Sequence, residues 1–338
     1  MLVSIALACA APAAAQRLPT TVVPAHYALW FAPDLKAKTF RGRETIRVDV
    51  REATRTITLN AAEIDFERVR IREGASTQTA TVVKDTEREQ VSLTVPRTIR
   101  PGSATIEITY TGLLNDKLRG FYLSTTPQRS YAVSQMESTD ARRAFPSFDE
   151  PALKATFDIA LMVDSGDIAI SNGRAISDQR GPEPGKHTVT FATTPKISTY
   201  LVALLVGDFV CRQGEADGIP IRVCATPDKA ALTGFALDAA QREVTFFNRY
   251  FGIKYPFDKL DIVGVPDFAA GAMENAGAIT FRERLLLVDP SNSSGGTRRT
   301  VVEVTAHEIA HQWFGDLVTM RWWNDVWLNE GFATWMQK

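Results

Sequence analysis

From about residue 18 to about residue 210 apolar and polar positions alternate. Ile46, Val48 and Val50 are separated by polar residues, as are Val91, Leu93 and Val95, then Ile106, Ile108 and Tyr110, then Phe157, Ile159, Leu161 and Val163. Successive side chains of a strand point to opposite faces, so a period of two predicts strands with one buried face. Gly and Pro punctuate the pattern at Arg100-Pro101-Gly102 and between Arg180 and Gly185. Tyr200 to Val206 is continuously apolar and reads as a strand buried on both faces. Many short strands without intervening helices predict an antiparallel β-sandwich or saddle-like sheet domain.

After Cys224 the period changes. Leu232, Phe235, Ala236, Ala239, Val244, Phe246 and Phe247 recur at helical spacing across Lys229 to Tyr250. Lys259 to Val265 and Ala278 to Val288 read as strands, and Ser291 to Gly296 as a flexible loop. Thr297 is placed to cap a helix running from Arg298 to Trp313. A last helix starts near Asn324 or Asp325. The chain thus divides, near residues 210 to 225, into a β part (16–212) and a mixed α/β part (213–338).

Composition narrows the classes. The chain has 338 residues, is 45% hydrophobic and 23% charged, and carries a formal net charge of -1. This excludes disordered, collagenous and disulfide-dense chains, and gives no bulk attraction to nucleic acid or anionic membranes. Residues 1–15 end in Ala13-Ala14-Ala15 before Gln16, the pattern of a secretory signal, and imply a periplasmic or secreted protein. The leader is too short to span a bilayer, no later stretch reaches that length, and a lipid anchor at Cys9 is not expected. Cys211 and Cys224 flank a turn between two strands. A disulfide and a pair of buried thiols are both open readings.

The chemistry crowds toward one end. Five of the six Trp fall at Trp313 or later, just after His307 and His311. In His307-Glu308-Ile309-Ala310-His311, two imidazoles four residues apart share one helix face and can bind one cation, for which Zn2+ is suited. Glu308, along the helix edge, can reach a metal-bound water as general base. A catalytic zinc takes a third protein ligand. Glu330, 18 residues beyond His311 in an otherwise apolar stretch, is the candidate. Asp316 is too close to the first helix end, and Asp325 is a weaker competitor. Trp313, Trp323 and Trp327 are expected to pack the two metal-bearing helices.

This segment, through Asn329-Glu330-Gly331-Phe332-Ala333-Thr334-Trp335, resembles the M1 family of zinc aminopeptidases. So do Gly271-Ala272-Met273-Glu274-Asn275, Gln135-Met136-Glu137 with Ala141-Arg142, Phe145 to Pro151, and the entry at Pro24 to Tyr27. The resemblance implies an incomplete thermolysin-like α/β zinc-protease domain after the β domain. It implies one Zn2+ held by His307, His311 and Glu330, with Glu308 as base. Glu274 and Glu137 would bind the free α-amine of a peptide, while Gly271, Ala272, Met273 and Asn275 would line the peptide site, the first three through backbone hydrogen bonds. The implied partners are peptides with a free N-terminus. The family's transition-state tyrosine lies beyond the third ligand, and no Tyr here occupies that place, so the chain is expected to be a piece of a longer protein with little activity alone. The rival readings are a thermolysin-type endopeptidase, a bifunctional epoxide hydrolase and aminopeptidase, and a non-catalytic fragment.

Overall fold

A computed structural model describes residues 17–338. The expected leader at 1–15, and Cys9 with it, lies outside the described residues.

The alternating segments form strands whose apolar sets face one core. In Thr39–Val50, Phe40, Ile46 and Val48 are buried while Arg41, Arg43 and Arg47 face water. This strand is central to an eight-stranded sheet. The order across it is Ala175–Arg180, Lys186–Phe191, Thr156–Asp164, Val22–Asp34, Thr39–Val50, Gly102–Leu113, Ile64–Glu73 and Ser76–Thr79. Neighbours are antiparallel with one exception: Val22–Asp34 runs parallel to Thr156–Asp164, from His26 opposite Thr156 to Phe31 opposite Leu161. The periodicity predicts both strands but carries no information about their relative direction, because all of the chain between them separates the pair.

Thr54–Asn60, Gln90–Ile99 and Thr81–Asp85 form a three-stranded sheet whose buried side chains Ile57, Leu59, Val91, Leu93 and Val95 join the same core. Four further strands, Ile168–Ser171, Leu204–Gly207, Ser130–Gln135 and Gly120–Thr125, form a sheet lying toward the second half of the molecule. The run expected as one strand from Tyr200 is instead a short helical turn at Thr199–Leu201 followed by a strand.

The second half is built on a mixed five-stranded sheet, ordered Val210–Ala216, Ile219–Ala225, Leu260–Val265, Ala278–Arg282 and Ala272–Met273. Val210–Ala216 belongs to this sheet in one piece, so the expected division at 212/213 falls within a strand. Cys211 stands opposite Cys224 on the first hairpin, with Sγ–Sγ 2.06 Å. Helix α1 (Gly234–Phe251) buries Ala236, Ala240, Val244 and Phe247, which recur at three- and four-residue steps, and ends at Gly252 in the left-handed region. Helix α2 (Gly295–His311) is capped by Ser294, whose Oγ accepts the Thr297 N–H at 3.1 Å. The cap therefore falls three residues before the expected Thr297, which lies inside the first turn. A turn at Trp323–Asp325 leads into helix α3 (Trp327–Met336).

The tryptophans divide. Trp313 is buried against Phe247, Phe251 and Tyr255, with Nε1–H donating to the Ile253 carbonyl at 3.0 Å. Trp323 packs edge-on against Tyr200. Trp327, expected in the same role, is 62% exposed. It stands at the first position of α3, where Asn329 and Ala333 are the buried residues.

Candidate metal and peptide-amine site

The first six residues of helix α2, 295–300, are exposed or half-buried. Its last turns, with Thr305, Ala306, Glu308, Ile309, Ala310 and His311, are buried. The helix therefore carries polar side chains into the interior, where each needs a partner. His311 Nδ1 lies 2.9 Å from the Phe314 carbonyl oxygen, which can only accept, so Nδ1 carries the proton and Nε2 presents its lone pair. His307 Nδ1 likewise meets Gln337 Oε1 at 3.0 Å. The two Nε2 atoms face each other at 3.0 Å, and Glu330 Oε2 stands 3.3 Å from His307 Nε2 and 3.7 Å from His311 Nε2.

Three electron-pair donors thus converge on one point. They repel one another unless a proton or a cation lies between them. Tetrahedral ligands about 2.0 Å from zinc stand roughly 3.3 Å apart, so the three spacings fit one Zn2+. Asp325, the rival third ligand, is not part of any such cluster among the described residues.

Two more carboxylates close on this point. Oxygen atoms of Glu137, Glu274 and Glu330 lie within 4.8 Å of one another, as do donor atoms of Glu274, Glu308 and His311. Glu274 follows the two-residue strand Ala272–Met273, which pairs with Ala278–Arg282 on one side only and forms the sheet edge beside the site. Glu137 arrives from the β half, on the loop after Ser130–Gln135.

Comparison with known proteins points to one family. Residues 235–338 match the model of the Peptidase family M1 domain, and residues 23–201 that of the Peptidase M1 N-terminal domain. The chain is 42% identical over 329 residues to an Aminopeptidase N of Acetobacter pasteurianus, covering 96% of this chain and 92% of the relative. It is 45% identical to Aminopeptidase 2 of Candida albicans and 43% identical to Endoplasmic reticulum aminopeptidase 2 of Bos taurus.

The chain belongs to peptidase family M1.

It spans about a third of the length of most curated M1 relatives that it matches, 35% for the Candida and bovine proteins.

The electrostatics of this M1 site follow from crowding acids in a buried place. Burial, followed by the negative charges of Glu274 and Glu330, pushes the Glu137 carboxyl up to about 8, against the opposing effect of His311. Burial likewise drives Glu308 well above the usual carboxylate range. Glu330 goes the other way, held far below that range by the imidazoles of His307 and His311. Burial opposes charge on His311, but Glu274, Glu330 and Glu308 outweigh it and raise its affinity for a proton. Such a cluster takes up protons until a cation displaces them.

The remaining expected residues occupy distinct places. Gly271 is exposed and Ala272 half-buried, at the open strand edge. The Met273 side chain is buried and its Sδ accepts from Gln135 Nε2 at 3.3 Å. Asn275 is buried too, its Nδ2 donating to Thr280 Oγ1 at 3.2 Å, so its side chain faces the protein interior. Arg142 and Asp149 pair at 2.9 Å, and Thr199 Oγ1 donates to Asp149 at 2.7 Å, which fixes the loop bearing Glu137. Asp316, set aside as a ligand, is fully buried with neither carboxylate oxygen bonded among the described residues. One polar residue escaped the sequence reading: Gln312 is fully buried with its polar atoms bonded. Its signal in the sequence was an amide directly after the candidate ligand His311.

Proposed function

We propose that the polypeptide of which this chain forms all or part is a zinc metalloaminopeptidase that removes the N-terminal residue of peptides. His307, His311 and Glu330 hold the ion, which when bound polarises the scissile carbonyl and acidifies a water. Glu308 accepts the proton of the attacking water and delivers it to the leaving amine nitrogen. The observation that carries the exopeptidase reading is the approach of Glu137 and Glu274 to within 4.8 Å of the ligand Glu330. An endopeptidase has no use for two further carboxylates beside its metal. A peptide N-terminus is an ammonium, and a carboxylate pair at a set distance from the metal detects that end and places the first peptide bond at the reacting point. The free edge of Ala272–Met273 supports the reading, since an extended peptide can add to it as a strand.

The Cys211–Cys224 bridge and the leader pattern at 1–15 support an exported protein, periplasmic or secreted. No helix among the described residues is long and apolar enough to cross a membrane.

The test compares an aminoacyl arylamide with its Nα-acetylated form as substrates of the full-length protein. The expected result is release of the arylamine from the free-amine substrate only, lost on chelation and restored by zinc. Comparable cleavage of the blocked substrate, or of internal bonds in a blocked peptide, would overturn the exopeptidase reading.

A further inference from the structure

We infer that Gln312 is a positioning residue that sets the distance between the metal ligands and the amine-binding carboxylate Glu274; the inference rests on the aminopeptidase reading above. Gln312 follows His311 directly, at the end of α2, and is fully buried. Its Nε2 donates to the Glu274 carbonyl at 2.9 Å. Its Oε1 accepts the Gly277 N–H at 2.9 Å and the Tyr255 hydroxyl at 3.1 Å. The orientation of the amide is decided by chemistry, because a main-chain carbonyl can only accept and a main-chain N–H can only donate. Both lone pairs of Oε1 are used. One side chain therefore joins the residue after a metal ligand to the main chain on both sides of the turn that carries Glu274.

The rest of that turn is held equally firmly. Asn172 Nδ2 donates to the Ala276 carbonyl at 2.9 Å, and buried Lys259 Nζ to the Gly277 carbonyl at 2.7 Å. Gly277 has φ of +68°, and a Cβ there would stand 2.8 Å from the Asn172 carbonyl oxygen, so this turn requires glycine. With the far side of the turn bonded in this way, the Gln312 amide is a direct hydrogen-bonded link between the Glu274 main chain and the end of α2. An exopeptidase that counts one residue from the amine depends on that separation, and a misplacement of about 1 Å can cost roughly a hundredfold in rate. Asparagine, one methylene shorter, cannot keep the Glu274 and Gly277 bonds without drawing the turn toward α2.

The experiment measures binding by calorimetry to the zinc-loaded full-length protein. The probes are an aminoacyl hydroxamate, which grips zinc and offers an α-amine, and its des-amino analogue, which grips zinc alone. Their affinity ratio reports the amine site. In Gln312→Asn the ratio is expected to fall about tenfold, with zinc content and des-amino affinity kept. A general loss of structure would weaken both probes together, so the ratio separates positioning from support. Should Gln312→Asn fail to fold or to hold zinc, Tyr255→Phe, which removes one bond to Oε1, is judged by the same ratio and is expected to lower it. An unchanged ratio in a variant that holds zinc overturns the positioning role. A wild-type protein that shows no preference for the amine overturns the amine site itself, and the positioning role with it.

Discussion

Glu308 lies one residue beyond His307, about 100° further round the helix, which keeps it beside the metal ligands and out of their set. Replacing it by Gln preserves shape and removes the proposed base. In the full-length protein, Glu308→Gln is expected to lower kcat by about 10^2- to 10^4-fold or more while zinc content by elemental analysis stays at the wild-type level. Normal turnover in that variant would refute the proposed role. A second acid belongs to the fold rather than the site. Glu44 points into the core of the β half, its two carboxylate oxygens unpartnered among the described residues. Burial raises its affinity for a proton well above that of an ordinary carboxylate. The folded state then binds this proton more tightly than the unfolded state, so stability falls as pH rises from the ordinary carboxylate range toward the folded value. Glu44→Gln removes that decline. Urea unfolding is expected to show the variant about 1–3 kcal/mol more stable at pH 8 and indistinguishable at pH 4. Equal effects at the two pH values would show that Glu44 is not titrating in the core.

Among the elements, α2 shows how far local rules reach. The spacing of His307 and His311 was legible because it reports a helix face, and Glu330 because a lone acid in an apolar stretch needs a partner. The cap was misplaced by three residues: Ser294 and Thr297 are both good capping types, and only backbone geometry decides between them. Trp327 was misread because a large apolar residue is a weak guide to burial at the first turn of a helix. Gln312 was passed over because its partners Gly277 and Tyr255 are distant in sequence, and the burial of Asp316, weighed only as a ligand, depends on packing that local pattern does not report. The cap itself is testable. Ser294→Ala is expected to cost about 1 kcal/mol in chemical denaturation, through loss of the Thr297 N–H partner. Thr297→Val, which keeps that N–H and the branched shape, should cost less. If Thr297→Val proved the more damaging change, the helix would start where the sequence pattern alone placed it.

Across the whole molecule, the alternating segments were legible as strands. The runs at Tyr200 and after Arg282 were not, because each contains a short helical turn, and the bonds between the halves were invisible in sequence. Asn172, at the end of a β-half strand, donates to both Leu201 and Ala276. Lys259 of the second half, buried and paired with Asp261 at 2.8 Å, donates to Ser171. Tyr122 Oη donates to the Asp267 carbonyl at 2.9 Å, and Lys154 Nζ to that of Asp316 at 2.7 Å. These are buried or half-buried bonds whose loss leaves groups unsatisfied on both sides, so neither half can open alone without exposing or orphaning them. The site depends on this union, since Glu137 comes from the β half and the other carboxylates from the second. The two halves should therefore unfold together, and a ligand that binds only the folded site should stabilise both. Free zinc at a hundred times its Kd adds about 2.7 kcal/mol to the stability of whatever unit it holds, several degrees in melting temperature for a chain of this size. Scanning calorimetry is expected to give one transition that moves up as a whole on adding zinc to the metal-free protein, and His307→Ala is expected to abolish the shift. Two transitions, with only one responding to zinc, would show that the β half folds independently and that the bonds between the halves do not couple them.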